Sequence, residues 1–328
     1  MMHLSKSKAL ALLIGGIAAL VAMLQPFGYS PDYIQYDYFF DQLRLDYLYQ
    51  IKESRFEFGF LHSSYLLTTI FRDNIYVYGF FVFIAVGLKA YFGGRFSTRN
   101  CAWIFLAFYF FKFFPLHELT QLRAAMAASF LIVVFYYLSV ERYWAALLFS
   151  LIAVSFHNSA GLVLPFYLIP KFALTRGRIV AVSLILYLGC YFASDYLVGF
   201  MADRIYVFET YLNAGLESRR NAAFSPVFYP EFLMIILSFI FWSDLSEVMK
   251  KILAIEVFGF SIFYGFIDLG VVAVRGHELF SVLWLIFVAQ FPFAKKNIRI
   301  GVMVFVLGSI LIAIYLYFIL NFFAGEIQ

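Results

Sequence analysis

Four places in the sequence combine side chains that can hold or move charge. The first, His117-Glu118-Leu119-Thr120-Gln121-Leu122-Arg123, follows Pro115 and opens a helix that continues through Ala124-Ala125-Met126-Ala127-Ala128. His117 and Gln121 lie one helical turn apart, so the block predicts a polar patch at the mouth of that helix. Arg123 lies around the helix from Glu118, and the two need not pair. The second is His157 in Ser155-Phe156-His157-Asn158-Ser159, inside a long apolar stretch. An imidazole there can act near neutral pH as a general base or hold a phosphate as a cation. The third, Arg275-Gly276-His277-Glu278, joins a cation, a kink and an acid between two apolar runs, and the fourth is the pair Arg219 and Arg220. Arginine at a membrane face carries a desolvation cost unless paired, and its planar fork matches phosphate oxygens, so several on one side suggest an anionic lipid head group. Each also has a structural reading: a snorkelling arginine, an acid near a helix N-terminus, a hydrogen-bonded core histidine. Metal is not expected. Adjacent residues such as His117/Glu118 and His277/Glu278 point to different sides of a helix, and no H-E-x-x-H pattern occurs. No glycine-rich phosphate loop precedes a helix, and Gly93-Gly94 reads as a turn.

The elements that must position these groups follow from composition. Of 328 residues 64% are hydrophobic, 22% aromatic and only 13% charged, against about 25% charged in a soluble domain. That excludes a water-soluble fold. Continuous apolar runs exclude a membrane barrel, whose strands alternate. The remaining reading is all-α: a polytopic transmembrane helical bundle forming a single integral membrane domain, 1–328. Apolar runs at 9–24, 75–92, 101–116, 120–140, 142–157, 158–170, 178–200, 227–242, 251–273, 276–293 and 298–323 predict about eleven spans. The shorter run 58–71 reads as a re-entrant or interfacial helix. Lys6, Lys8, Arg95, Arg99, Arg142, Lys171, Arg176, Arg178, Lys250, Lys251, Lys295, Lys296 and Arg299 then fall on one side, the cytoplasmic one. Two larger loops, 25–57 and 201–230, face outward, the first rich in Tyr and Asp and suited to stacking on sugars. The N-terminal run has the charge of a signal peptide without a small-x-small cleavage site, and reads as an uncleaved anchor. The net charge of +4 is scattered between apolar runs, which excludes a nucleic-acid surface. Cys101 and Cys190 stand apart in no ligand spacing and imply no disulfide framework.

The order of motifs resembles the Wzy/EpsG-like family of membrane polysaccharide polymerases. The resemblance is carried by Asp32-Tyr33-x-x-Tyr36, Phe56-Glu57-Phe58-Gly59-Phe60, Leu122-Arg123-Ala124-Ala125-Met126-Ala127, Phe156-His157-Asn158-Ser159-Ala160 with Leu164-Pro165, and, less closely, Val274-Arg275-Gly276-His277-Glu278-Leu279-Phe280. It implies polymerisation of oligosaccharide repeat units at the outer face of the bacterial cytoplasmic membrane. Donor and acceptor would both be carried on undecaprenyl pyrophosphate, with a chain-length regulator and a flippase as partners and no cofactor. Under that resemblance Arg123, Arg275, Arg219 and Arg220 are expected on the pyrophosphate, with Glu118 and His157 as catalytic candidates. Asp32, Tyr36, Glu57, His117, Gln121, His277 and Glu278 are expected to position sugar. A flippase for the same lipid-linked sugars, or a transferase modifying the polymer, is the alternative. A flippase needs polar groups along its whole path, whereas the charged residues here gather at one level.

Overall fold

The computed structural model describes residues 2–24, 31–54, 56–96, 99–171, 174–202, 228–267 and 270–290. Among these the structure is helical throughout, with no strand. The chain divides into two compact units, 1–167 and 168–328. The expected span 298–323, most of the 201–230 loop, Arg219 and Arg220 lie outside the described residues.

The first unit holds α1 (Met2–Met23), α2 (Pro31–Leu45), α3 (Tyr47–Glu53), α4 (Phe58–Ile70), α5 (Asn74–Gly93), α6 (Arg99–Phe113), α7 (Leu122–Ser139) and α8 (Tyr143–Phe156). The second holds α9 (Arg176–Ala202), α10 (Tyr229–Ile240), α11 (Glu247–Gly265) and α12 (Gly270–Gln290). A 3-10 stretch, Asn158–Lys171, stands where a thin span was expected. Among the described residues three helices are long and apolar enough to cross a membrane: Asn74–Phe96, Leu122–Ser139 and Arg176–Ser194. Five more are apolar but shorter, among them Tyr143–Phe156 and Gly276–Phe287. The stretch 25–57, expected as an outer loop, is helical over Pro31–Leu45 and Tyr47–Glu53, as α2 and α3.

Packing in the first unit rests on small residues. On α1, Ala11, Ala18, Ala19 and Ala22 are buried while Leu12, Leu13, Ile17 and Leu20 are exposed. The buried stripe seats against α5 so closely that a Cβ on Gly15 would lie 2.8 Å from the Phe83 carbonyl oxygen. Small residues let helix backbones approach where hydrocarbon, not water, covers the large ones. α7 repeats the pattern from the inside: Ala124, Ala125, Ala127 and Ala128 are all buried between α5 and α8. α2 is pinned to the start of α5 by Asn74, whose amide donates to Asp37 at 2.8 Å and Asp41 at 2.9 Å, with Arg44 completing the group.

α4 meets α8 at Gly59. A Cβ there would stand 2.8 Å from the Ser155 carbonyl oxygen and 2.9 Å from its Cβ. This closeness holds the chain before α4 against the end of α8. Gly59→Ala is expected to destabilise the protein by about 1–3 kcal/mol through overpacking. Gly16→Ala, inside α1 and meeting nothing within 4 Å, should be neutral or stabilise by up to about 1 kcal/mol, because alanine is the better helix former. Thermal unfolding in detergent compares the two.

Candidate functional site

Three short signals build the site in the first unit. Pro115 has no N–H to continue the α6 ladder, and the chain widens into a π turn over Phe114–Glu118, closed by the Leu119 N–H on the Phe114 carbonyl at 3.2 Å. The turn delivers Gln121 as the N-cap of α7, with no side-chain cap bond. Arg123 therefore sits in the first turn of α7, beside N–H groups that the helix itself does not satisfy. At the other edge α8 stops at His157, whose backbone is extended, with φ −157° and ψ 117°. Glu57 precedes α4 in the same extended state.

These three meet. Arg123 Nη1 donates to Glu57 Oε2 at 2.7 Å, and His157 Nδ1 lies 3.1 Å from Glu57 Oε1. The Asn158 N–H reaches the same oxygen at 3.4 Å. Arg123 also stacks on the Phe56 ring, 4.7 Å from its centre, and interacts electrostatically with Tyr36. Tyr36 is buried against Phe56 and Phe60. The side chains of Glu57 and His157 are 7% and 8% exposed, that of Arg123 17%. Among the described residues, Arg123 Nε and His157 Nε2 make no hydrogen bond. The cluster thus keeps one donor and one acid–base nitrogen for something else. Glu57 lies outside the three long spans; burial pushes its carboxyl up, but His157 and Arg123 outweigh that and hold it down to about 2 from the ordinary 4.5.

A second cluster lies deeper. Glu118 and Lys89 form an ion pair in which both side chains are fully buried. Lys89 Nζ also donates to the Tyr109 hydroxyl at 3.3 Å, and the Tyr78 hydroxyl donates to the Glu118 carbonyl oxygen at 2.8 Å. His117 is completely buried against Phe113, with neither ring nitrogen hydrogen-bonded. Glu118, expected at an outer mouth as a base, is thus committed to a cation in the interior. Lys89 is the residue that the sequence reading passed over. A lone lysine inside the apolar run 75–92 was its signal, since such a charge persists only with a partner.

The remaining candidates distribute as follows. Asp32 is half-buried in the first turn of α2, where its charge bears on Tyr36. Gln121 is half-buried, its Oε1 without a hydrogen bond. Arg275, His277 and Glu278 lie on α12 in the second unit, Arg275 described by its backbone alone. His277 is buried and Glu278 half-buried.

Apolar membrane-length helices enclosing paired charges, with a guanidinium and an imidazole each keeping one nitrogen available, define an integral membrane protein with a buried polar site. Residues 8–327 match the EpsG family, and the chain belongs to it. It is an exopolysaccharide-related membrane protein. Comparison with curated proteins and with solved structures returned no match.

Two outcomes check the electrostatics. A carboxyl with a depressed value adds stability that is present above its unfolded value and is lost as pH falls toward its folded one. Between pH 4.5 and about 2, the native chain should lose on the order of 3 kcal/mol that Glu57→Gln does not, read from acid unfolding of the pair. Separately, Lys89→Met strands a buried carboxylate and should cost about 3–5 kcal/mol, while adding Glu118→Gln should recover most of that loss. A double variant no more stable than the single one would remove the pairing argument.

Proposed function

We propose that the chain polymerises lipid-linked oligosaccharide repeat units, by glycosyl transfer from a polyprenyl pyrophosphate-linked chain to a lipid-linked acceptor, at the extracytoplasmic face of the cytoplasmic membrane. Family membership supports the class, and the observation that carries the reaction is the Glu57-bridged pair of Arg123 and His157.

The chemistry needs two services. As the anomeric C–O bond to the lipid breaks, a pyrophosphate anion leaves and its growing charge must be met. Arg123, held by Glu57 and stacked on Phe56, offers its Nε–H in a fixed orientation, and the uncapped start of α7 adds N–H dipoles of the same sign. The acceptor hydroxyl must lose its proton as it attacks the anomeric carbon. With Nδ1–H directed at Glu57, His157 presents Nε2 as the atom that accepts it, while the carboxylate fixes the tautomer and stabilises the imidazolium that forms. Glu57 is a positioning residue in this scheme, and the base role passes from Glu118 to His157. Asp32 and Tyr36 border the cluster on the side of α2, from which sugars would enter.

Activity is read in cells lacking the native gene, as the ladder of polymer lengths on a gel, each variant present in the membrane at the normal level. Arg123→Ala and His157→Ala should each remove polymer and leave single-repeat glycolipid accumulating. Arg123→Lys should restore only a small part, because a point charge loses the forked geometry. Full-length polymer from either alanine variant would reject the assignment. Loss of outward exposure of the repeat unit would indicate transport, and a full ladder of altered mass a modifying transferase.

A further inference from the structure

The second unit contains a cluster that the proposed glycosyl transfer does not use. Glu231 on α10, Glu256 on α11 and His277 on α12 each direct one ligand-type atom to a common point, and these atoms lie within 4.8 Å of one another. His277 Nε2 stands 3.7 Å from Glu231 Oε2 and 3.6 Å from Glu256 Oε1. Both separations are too long for a hydrogen bond, and among the described residues Nε2 makes none. They are close to the edge of a coordination tetrahedron, since bonds of about 2.1 Å set neighbouring ligand atoms about 3.4 Å apart.

All three side chains are 3% exposed or less. The imidazole is held in place by aromatic walls: Phe260 at 4.2 Å, Phe228 at 5.1 Å and Phe263 at 5.8 Å between ring centres. Its orientation is therefore fixed by packing, with Nε2 turned toward the carboxylates. We propose that Glu231, Glu256 and His277 form a binding site for one divalent transition-metal ion of the Mn2+ or Zn2+ kind. Two carboxylate oxygens neutralise the ion's charge in an interior of low dielectric. The imidazole nitrogen selects against Mg2+ and Ca2+, which take oxygen ligands. Three protein ligands leave a position for water or a ligand oxygen. Because the ligands come from three separate helices, no spacing pattern in the sequence announces them, and the expectation of no metal rested on such patterns alone. This site stands independently of the polymerase reading.

The test uses the purified full-length chain in detergent, stripped with a chelator and reloaded with Mn2+. About one Mn2+ per chain is expected, with an electron spin-echo modulation from a single coordinated imidazole nitrogen. Glu256→Gln and His277→Gln should each weaken binding by at least about tenfold, whereas Glu247→Gln, an exposed partner of Lys250, should leave it unchanged. Should a variant fail to fold, the nitrogen modulation in the native chain decides alone. The site is overturned by absence of stoichiometric Mn2+, by bound Mn2+ without nitrogen modulation, by folded Glu256→Gln or His277→Gln chains that bind as tightly as the native one, or by equal weakening in Glu247→Gln.

Discussion

One carboxylate organises the first unit. Glu57 is nearly buried and charged, and a charge in an apolar interior persists only where donors surround it. Its donors come from 66 residues away in Arg123 and 100 residues away in His157. To bring them together, the chain must halt α8 at His157, begin α7 just before Arg123 and press α4 onto α8 at Gly59. The π turn at Pro115 and the alanines of α7 serve the same end, the first by setting where α7 starts and the second by letting α5 and α8 close around it.

The Lys89 and Glu118 pair has a different character. It is fully buried and lined by tyrosine hydroxyls, and among the described residues Glu118 Oε2 and both ring nitrogens of the neighbouring His117 make no hydrogen bond. A pair of this kind specifies which helices meet more than it adds stability, because desolvating both ions offsets their attraction. Glu118 is the last residue of the π turn, so the pair ties the C-terminal part of α5 to the segment that launches α7.

Much of the fold was legible. Run ends such as 75–92, 120–140 and 142–157 fall within a few residues of α5, α7 and α8, because apolar length and the breaks at Asp73, Pro115 and Glu141 carry that information directly. Glu141 even adopts the left-handed backbone that a tight turn between α7 and α8 requires, with φ 59°. Arg123, His157 and Glu57 were visible as residue types but not as a group. Their pairing depends on which helix faces which, and a single sequence holds no record of that. Lys89, Glu231 and Glu256 escaped for a related reason: each lies in a mainly apolar run with no other candidate beside it, and groups that cluster only in space leave no cluster along the chain. His117 and Glu118, expected as an outer patch, are both fully buried, the second paired with Lys89.

The inverted dressing of α1, with alanine inside and leucine outside, bears on how such a chain tolerates change over time. Its lipid-facing positions need only be greasy, so Leu12, Leu13, Ile17 and Leu20 are free to interchange with one another's kind. Gly15 on the buried stripe has no such latitude, since a Cβ there would meet the Phe83 carbonyl oxygen. Sequence drift in this helix is thus confined to the side that the bilayer touches, the reverse of a water-soluble helix, where the bulky residues are the guarded ones.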